Sequence, residues 1–162
     1  MNKNTAIGLI SLILGIFVIG FPMAGVYLTS IIDGLALLII SIWAVIHSLR
    51  EWEIDKRTGI SYIVLGLIGL IIALGIIGNI AAYSILVGFS FYIIGLFLIV
   101  IGFLVIYSDK DRSRYLGFLG VLLGIFTIFL GFLSFDPINL AIIIGFWLIL
   151  FGMTEILVIG RD

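Results

Sequence analysis

One pattern occurs three times along the chain and limits what it can fold into: Gly8 to Gly15 (GLISLILG), Gly59 to Gly66 (GISYIVLG) and Gly117 to Gly124 (GFLGVLLG). Each copy is bounded by glycines seven residues apart and holds a third small residue, Ser11, Ser61 or Gly120. Offsets of zero, three and seven on a helix turning about 100° per residue fall in a stripe roughly 60° wide. Ser61 is assigned to that stripe as the middle member of its copy. A second small pair follows each copy at the same separation: Gly34 and Ser41, Gly95 and Gly102, Gly145 and Gly152. The chain reads as three tandem copies of one helical hairpin, at about 5–50, 58–110 and 115–161, in a single transmembrane domain over 1–162.

Composition identifies the solvent. The chain is 64% hydrophobic and 10% charged, against roughly 45–50% and about 25% in soluble domains. Its apolar runs divide into six segments, near 5–21, 24–48, 58–78, 82–107, 115–134 and 138–160. Each is close to the ~20 residues needed to cross a hydrocarbon core about 30 Å thick. Unpaired backbone groups in lipid cost several kcal/mol each, so the segments are expected to be helices despite their many Ile and Val residues. The expected fold is therefore all-α and integral to the membrane, with six transmembrane helices in three hairpins of the same orientation. The first segment has the outline of a signal peptide, with Lys3 before an apolar core, but its Gly8–Gly15 motif matches two internal copies and argues for retention.

Charge placement sets an expected topology. Lys3, Arg50, Lys56, Arg57, Lys110, Arg112, Arg114 and Arg161 are all at one end of the segments, and the loops around Pro22, Asn79 and Pro137 carry no cation. The positive-inside rule then places both termini and both charged loops in the cytoplasm of a multi-pass cell-membrane protein. Trp52 and Tyr107 flank those charges at headgroup level. Glu51, Glu53, Asp55, Asp109 and Asp111 nearly cancel the cations, which excludes a polybasic or nucleic-acid surface. The lipid bilayer is the partner the sequence requires, with a second copy or another membrane protein as further candidates.

The small stripes read first as packing surfaces, since helices in lipid associate through close backbone approach at Gly, Ala and Ser. Two carboxylates stand apart, Asp33 and Glu155. Asp33 has two readings. In one, Ser30 and Asp33 form a capping box at the start of the second helix. In the other, Asp33 lies about two turns inside the span as a proton or ion site. Energy permits the second, because an Asp at a helix centre costs about 2.5–3.5 kcal/mol while ten Leu, Ile, Val or Phe return about 3–6. Glu155 sits near the cytoplasmic end of the sixth segment, where it can reach the interface or pair with Arg161. A pathway using both carboxylates would need polar groups such as Tyr92 or Thr154 between them.

Enzyme signatures are lacking. Gly88-Phe-Ser90-Phe91 has the outline of an intramembrane serine-protease motif without its second glycine, and the only histidine, His47, is expected at the other membrane face. A serine without a base in reach is not a nucleophile. One histidine and no cysteine provide no metal cluster, and no cofactor motif is present.

Three two-helix repeats, glycines seven apart near each helix centre, and Pro22 and Pro137 in the outer turns resemble the HdeD-like family of small membrane proteins. The middle repeat differs in lacking a proline and in having a longer connection, around Asn79. The resemblance implies a six-helix protein of the cytoplasmic membrane, with no established catalytic residues, acting in membrane stress or acid tolerance; the dominance of packing features over sparse polar ones favours a structural or partner-binding module without cofactor. The alternative is a small proton, ion or solute pathway through Asp33 or Glu155.

Overall fold

The computed structural model describes residues 3–107 and 111–159, with side chains described for 5–107 and 114–157. Six α-helices follow in order: α1 (Lys3–Gly20), α2 (Pro22–Ile54), α3 (Lys56–Ile76), α4 (Ile80–Ile106), α5 (Asp111–Ser134) and α6 (Pro137–Ile159). Within α2 to α6 lie five stretches long and apolar enough to cross a membrane, and α1 contributes the shorter apolar stretch Thr5–Gly20. The protein is an all-α, multi-spanning membrane protein. Ile39, Leu65, Ile71 and Phe132 are each about two-thirds exposed or more, as side chains facing hydrocarbon should be.

Helix ends follow local chemistry. Proline at the first helical position fixes φ and lacks an amide that would have no partner anyway, and Pro22 and Pro137 open α2 and α6 in that way. Asp136 Oδ1 accepts from the Ile138 amide at 2.9 Å, and Asn79 Oδ1 from the Ala82 amide at 3.1 Å at the start of α4. Asp55 caps α3, accepting from the Arg57 and Thr58 amides. Between α3 and α4 the chain turns at Gly78, the one described residue with a left-handed backbone (φ 69°). A left-handed backbone is one that glycine adopts without a Cβ penalty, and α4 then opens at Ile80, where α2 and α6 have proline.

The contacts divide the chain into two compact units, one of Met1–Met23 with Ser84–Asp162 and one of Ala24–Tyr83. In the first, α1 packs along α6, α4 along α5, and α5 touches α6. In the second, α2 packs along α3. The close pairs thus include the first and last helices, and they join the end of one sequence repeat to the start of the next.

α2 departs from expectation at both ends. It runs six residues past the expected end to Ile54, giving 33 residues, about 50 Å at 1.5 Å per residue. It also begins at Pro22 rather than near Ser30, so the capping-box reading of Ser30 and Asp33 is corrected. Ser30 Oγ donates to the Tyr27 carbonyl at 2.8 Å inside the continuous helix, and Asp33 stands about three turns from the helix start.

Candidate functional site

The stripe residues meet in antiparallel ladders. A Cβ placed on Gly8 would lie 2.8 Å from the Gly152 carbonyl oxygen, and one on Gly152 would lie 2.6 Å from that of Gly8. Gly15 and Gly145 form the next rung, at 2.8 Å in both directions. Between α4 and α5 the rungs are Gly102 with Gly117, Gly95 with Gly124, and Gly88 with Gly131, at 2.7–3.0 Å. The seven-residue interval keeps one face toward the partner over successive turns. Close Cα–H···O contacts of this kind recur where helices approach backbone to backbone.

Between α2 and α3 the same register is built differently. A Cβ on Gly66 would lie 3.1 Å from the Ser41 carbonyl oxygen, and one on Gly59 would lie 3.3 Å from that of Ser48. Gly34 faces Ile76 and Ile77 at the far end. Ser41 and Ser48 turn their hydroxyls back to the Leu37 and Val45 carbonyls of their own helix. Two of the predicted small residues stand apart from the rest, which are buried. Gly120 is half-buried, 3.2 Å by its added Cβ from Gly102 Cα. Ser61 requires correction: it stands two residues after Gly59 rather than three, is exposed, and donates to the Arg57 carbonyl. The third position belongs to Tyr62.

The rungs at Gly88, Gly131 and Ser48, and the fully buried Ala73, are absent from the expected packing set. Their signal was in the sequence, since each continues its stripe by one further interval of seven.

Asp33 has a partner fifty residues away. The Tyr83 hydroxyl, on the first turn of α4, donates to Asp33 Oδ2 at 2.5 Å. Tyr83 is 5% exposed, whereas Asp33 lies on an exposed part of α2. The α3–α4 turn explains the meeting. Ile77 closes on Gly34, next to Asp33, and a Cβ added to Gly78 would lie 3.5 Å from the edge of the Tyr27 ring, so the turn meets α2 on either side of Asp33. Asn79 then caps α4 and aims Tyr83 back at the carboxylate. Glu155 belongs to the other unit, half-buried, with its Cβ 3.2 Å from where a Cβ on Gly8 would be. Arg161, its suggested partner, lies outside the described residues. Tyr92 packs on Phe135 with centroids 5.9 Å apart, and Thr154 donates to the Phe151 carbonyl.

Near the other end of α2, His47 stacks on Trp43 (4.9 Å, 10°) and meets Tyr62 of α3 edge to face (5.1 Å, 85°). Its Nε2 is 3.4 Å from Glu51 Oε1. Ser90 is exposed and donates to the Leu86 carbonyl. Among the described residues no group of three His, Asp or Glu could hold a metal ion. A cavity of about 190 Å³ between α5 and α6 is lined by Phe126, Leu130, Ile142, Ile143, Phe146 and Trp147, all apolar.

Comparison with known proteins adds one finding. The family model of a short repeat of unknown function (DUF308) matches residues 6–78, from α1 to just past the end of α3. No curated protein and no solved structure matches the chain significantly.

Proposed function

We propose that this protein is a non-catalytic, helix-packing and partner-binding module of the cytoplasmic membrane, acting in membrane stress or acid tolerance. The observation that carries the reading is the set of helix contacts within each unit, which are made by backbone, by glycine and serine, and by branched apolar side chains such as Ile19, Val45, Ile99 and Ile128. A conducting pathway would need polar groups lining water through the span. Asp33 is engaged by Tyr83, which supports a structural use of the carboxylate. The DUF308 match, together with the six-helix membrane architecture, supports kinship with HdeD-like proteins, and the acid-tolerance role follows from that kinship alone.

The decisive experiment replaces Asp33 with asparagine, which keeps the oxygen that accepts from Tyr83 and removes the titratable charge. Cells expressing the parent or Asp33→Asn at matched levels should survive an acid challenge equally, and liposomes containing either should show no proton flux above empty ones. Selective loss of survival or flux in the variant, with normal melting, would replace this reading with a proton pathway. Orientation is tested by single-cysteine labelling of intact cells: positions 79 and 136 should react and positions 55 and 111 should not.

A further inference from the structure

We propose that His47 is a proton-responsive joint that sets how tightly α2 and α3 are held at their cation-bearing end. It is the only histidine of the chain, and imidazole is the side chain whose charge ordinarily changes between pH 5 and 8. Three groups contact it, and two of them distinguish the charged ring from the neutral one. Trp43, one turn earlier on α2, offers its indole face at 4.9 Å, and an aromatic face attracts a cation. Glu51, one turn later, places a carboxylate oxygen 3.4 Å from Nε2. From α3, Tyr62 contacts His47 at 5.1 Å and Trp43 at 6.4 Å, so the state of the imidazole is felt across the helix pair.

The position of Tyr62 shows that α2 and α3 are built around this cluster. It stands three residues after Gly59, where α1 has Ser11 and α5 has Gly120. A ring has therefore replaced a small residue in the one pair of helices that contains an imidazole to meet it. His47 is seven residues from the end of α2, about 10 Å, and its side chain is 30% exposed, so protons reach it from the headgroup region. Of the other charged groups at this end, Arg50 and Glu53 on α2 and Lys56 and Arg57 on α3 are exposed. Among the described residues, Glu51 and Tyr62 are the titratable side chains in contact with the imidazole. This inference is independent of the acid-tolerance reading.

The test uses the purified full chain in detergent, with tryptophan emission and melting temperature followed from pH 5 to 8. A protonated imidazole stacked on an indole quenches its emission far more than a neutral one. Parent protein should therefore show a sigmoidal rise in emission with pH that is lost in both His47→Gln and Trp43→Phe, the second of which retains Trp52 and Trp147. Melting of the parent should fall by a few degrees more than that of His47→Gln across the same range, since contacts to the charged ring disappear as it is neutralised. An emission transition that survives in His47→Gln would overturn the proposal. So would a parallel pH dependence of melting in the parent and His47→Gln.

Discussion

The two compact units use one register and different chemistry. Where α1 meets α6 and α4 meets α5, glycine faces glycine, and an added Cβ would lie 2.6–3.0 Å from the opposing carbonyl oxygen. Where α2 meets α3, serines stand in two of the facing positions and the corresponding distances are 3.1 and 3.3 Å. The difference matters because lipid supplies no hydrophobic drive between helices, so association depends on close packing or on polar contacts. The glycine unit relies on proximity. The serine unit has given up a few tenths of an ångström, and its helices also carry an imidazole–aromatic cluster at one end and a phenol–carboxylate hydrogen bond at the other. The Ser41 and Ser48 hydroxyls bond carbonyls of their own helix, and Ser41 Oγ lies against Gly69 of α3 without a hydrogen bond across the interface.

The largest effect that could break this comparison comes from adding one methyl group. In Gly124→Ala the new carbon would meet the Gly95 oxygen at 2.7 Å and the Ile99 amide nitrogen at 2.9 Å, and backbone atoms cannot rotate away. We expect a loss of about 1–3 kcal/mol, the usual range for overpacking, and a larger loss for leucine. Gly66→Ala should cost less, because its closest contact is the Val45 Cγ2 at 2.6 Å, which can change rotamer, while the backbone stays at 3.1 Å. Gly75→Ala is the control. Nothing lies within 4 Å of the added carbon, so stability should hold or rise by up to about 1 kcal/mol through helix propensity. Melting in detergent ranks the three. Equal losses at 124 and 66 would erase the difference between the units, and equal losses at 124 and 75 would remove the ladder argument itself.

A smaller effect sharpens the polar side of the comparison. Tyr83→Phe removes the donor to Asp33 and should cost about 1 kcal/mol, typical of one hydrogen bond after exchange with other partners. Asp33→Ala should cost a similar amount, and the double variant should cost little more than either single one, because both remove one shared interaction. Additive losses would show that the two side chains act separately.

How much of this was legible in the sequence depends on the length scale of each feature. The helices, their apolar spans and the seven-residue stripes are local periodicities, and they emerge with boundaries shifted by a few residues. The pairing of stripes is not local. Gly8–Gly15 carries no mark that selects Gly145–Gly152 over Gly34–Ser41, since every second stripe is equally small. One of the two readings of Asp33, the helix cap, fails for the same reason. Ser30 and Asp33 have the spacing of a capping box, and what removes that reading is a helix already under way from Pro22 together with Tyr83, fifty residues distant. In the second copy the small residue, Ser61, stands one position short of the offset of three, which falls on Tyr62, a ring that a pattern of small residues does not mark.

The smallest expected effect concerns the connection that joins α2 to α3. Asp55 accepts from the Arg57 amide at 3.1 Å, the Thr58 amide at 3.3 Å and the Thr58 hydroxyl at 2.6 Å. The Thr58 hydroxyl first, and then the Arg57 amide, hold its carboxyl below its ordinary value of 3.8. A carboxylate whose folded value is depressed contributes its full stabilisation above the unfolded value and loses it as pH falls through the folded one. The cap should therefore act at neutral pH and fade below about pH 3.8. Asp55→Ala should melt slightly below the parent at pH 7, and the gap should narrow as pH falls below 3.8. Asp55→Asn, which keeps an acceptor without the charge, should fall between them at pH 7 and show less pH dependence. A gap between parent and Asp55→Ala that is unchanged from pH 7 to pH 3 would mean that the carboxylate charge has no part in holding the first turn of α3.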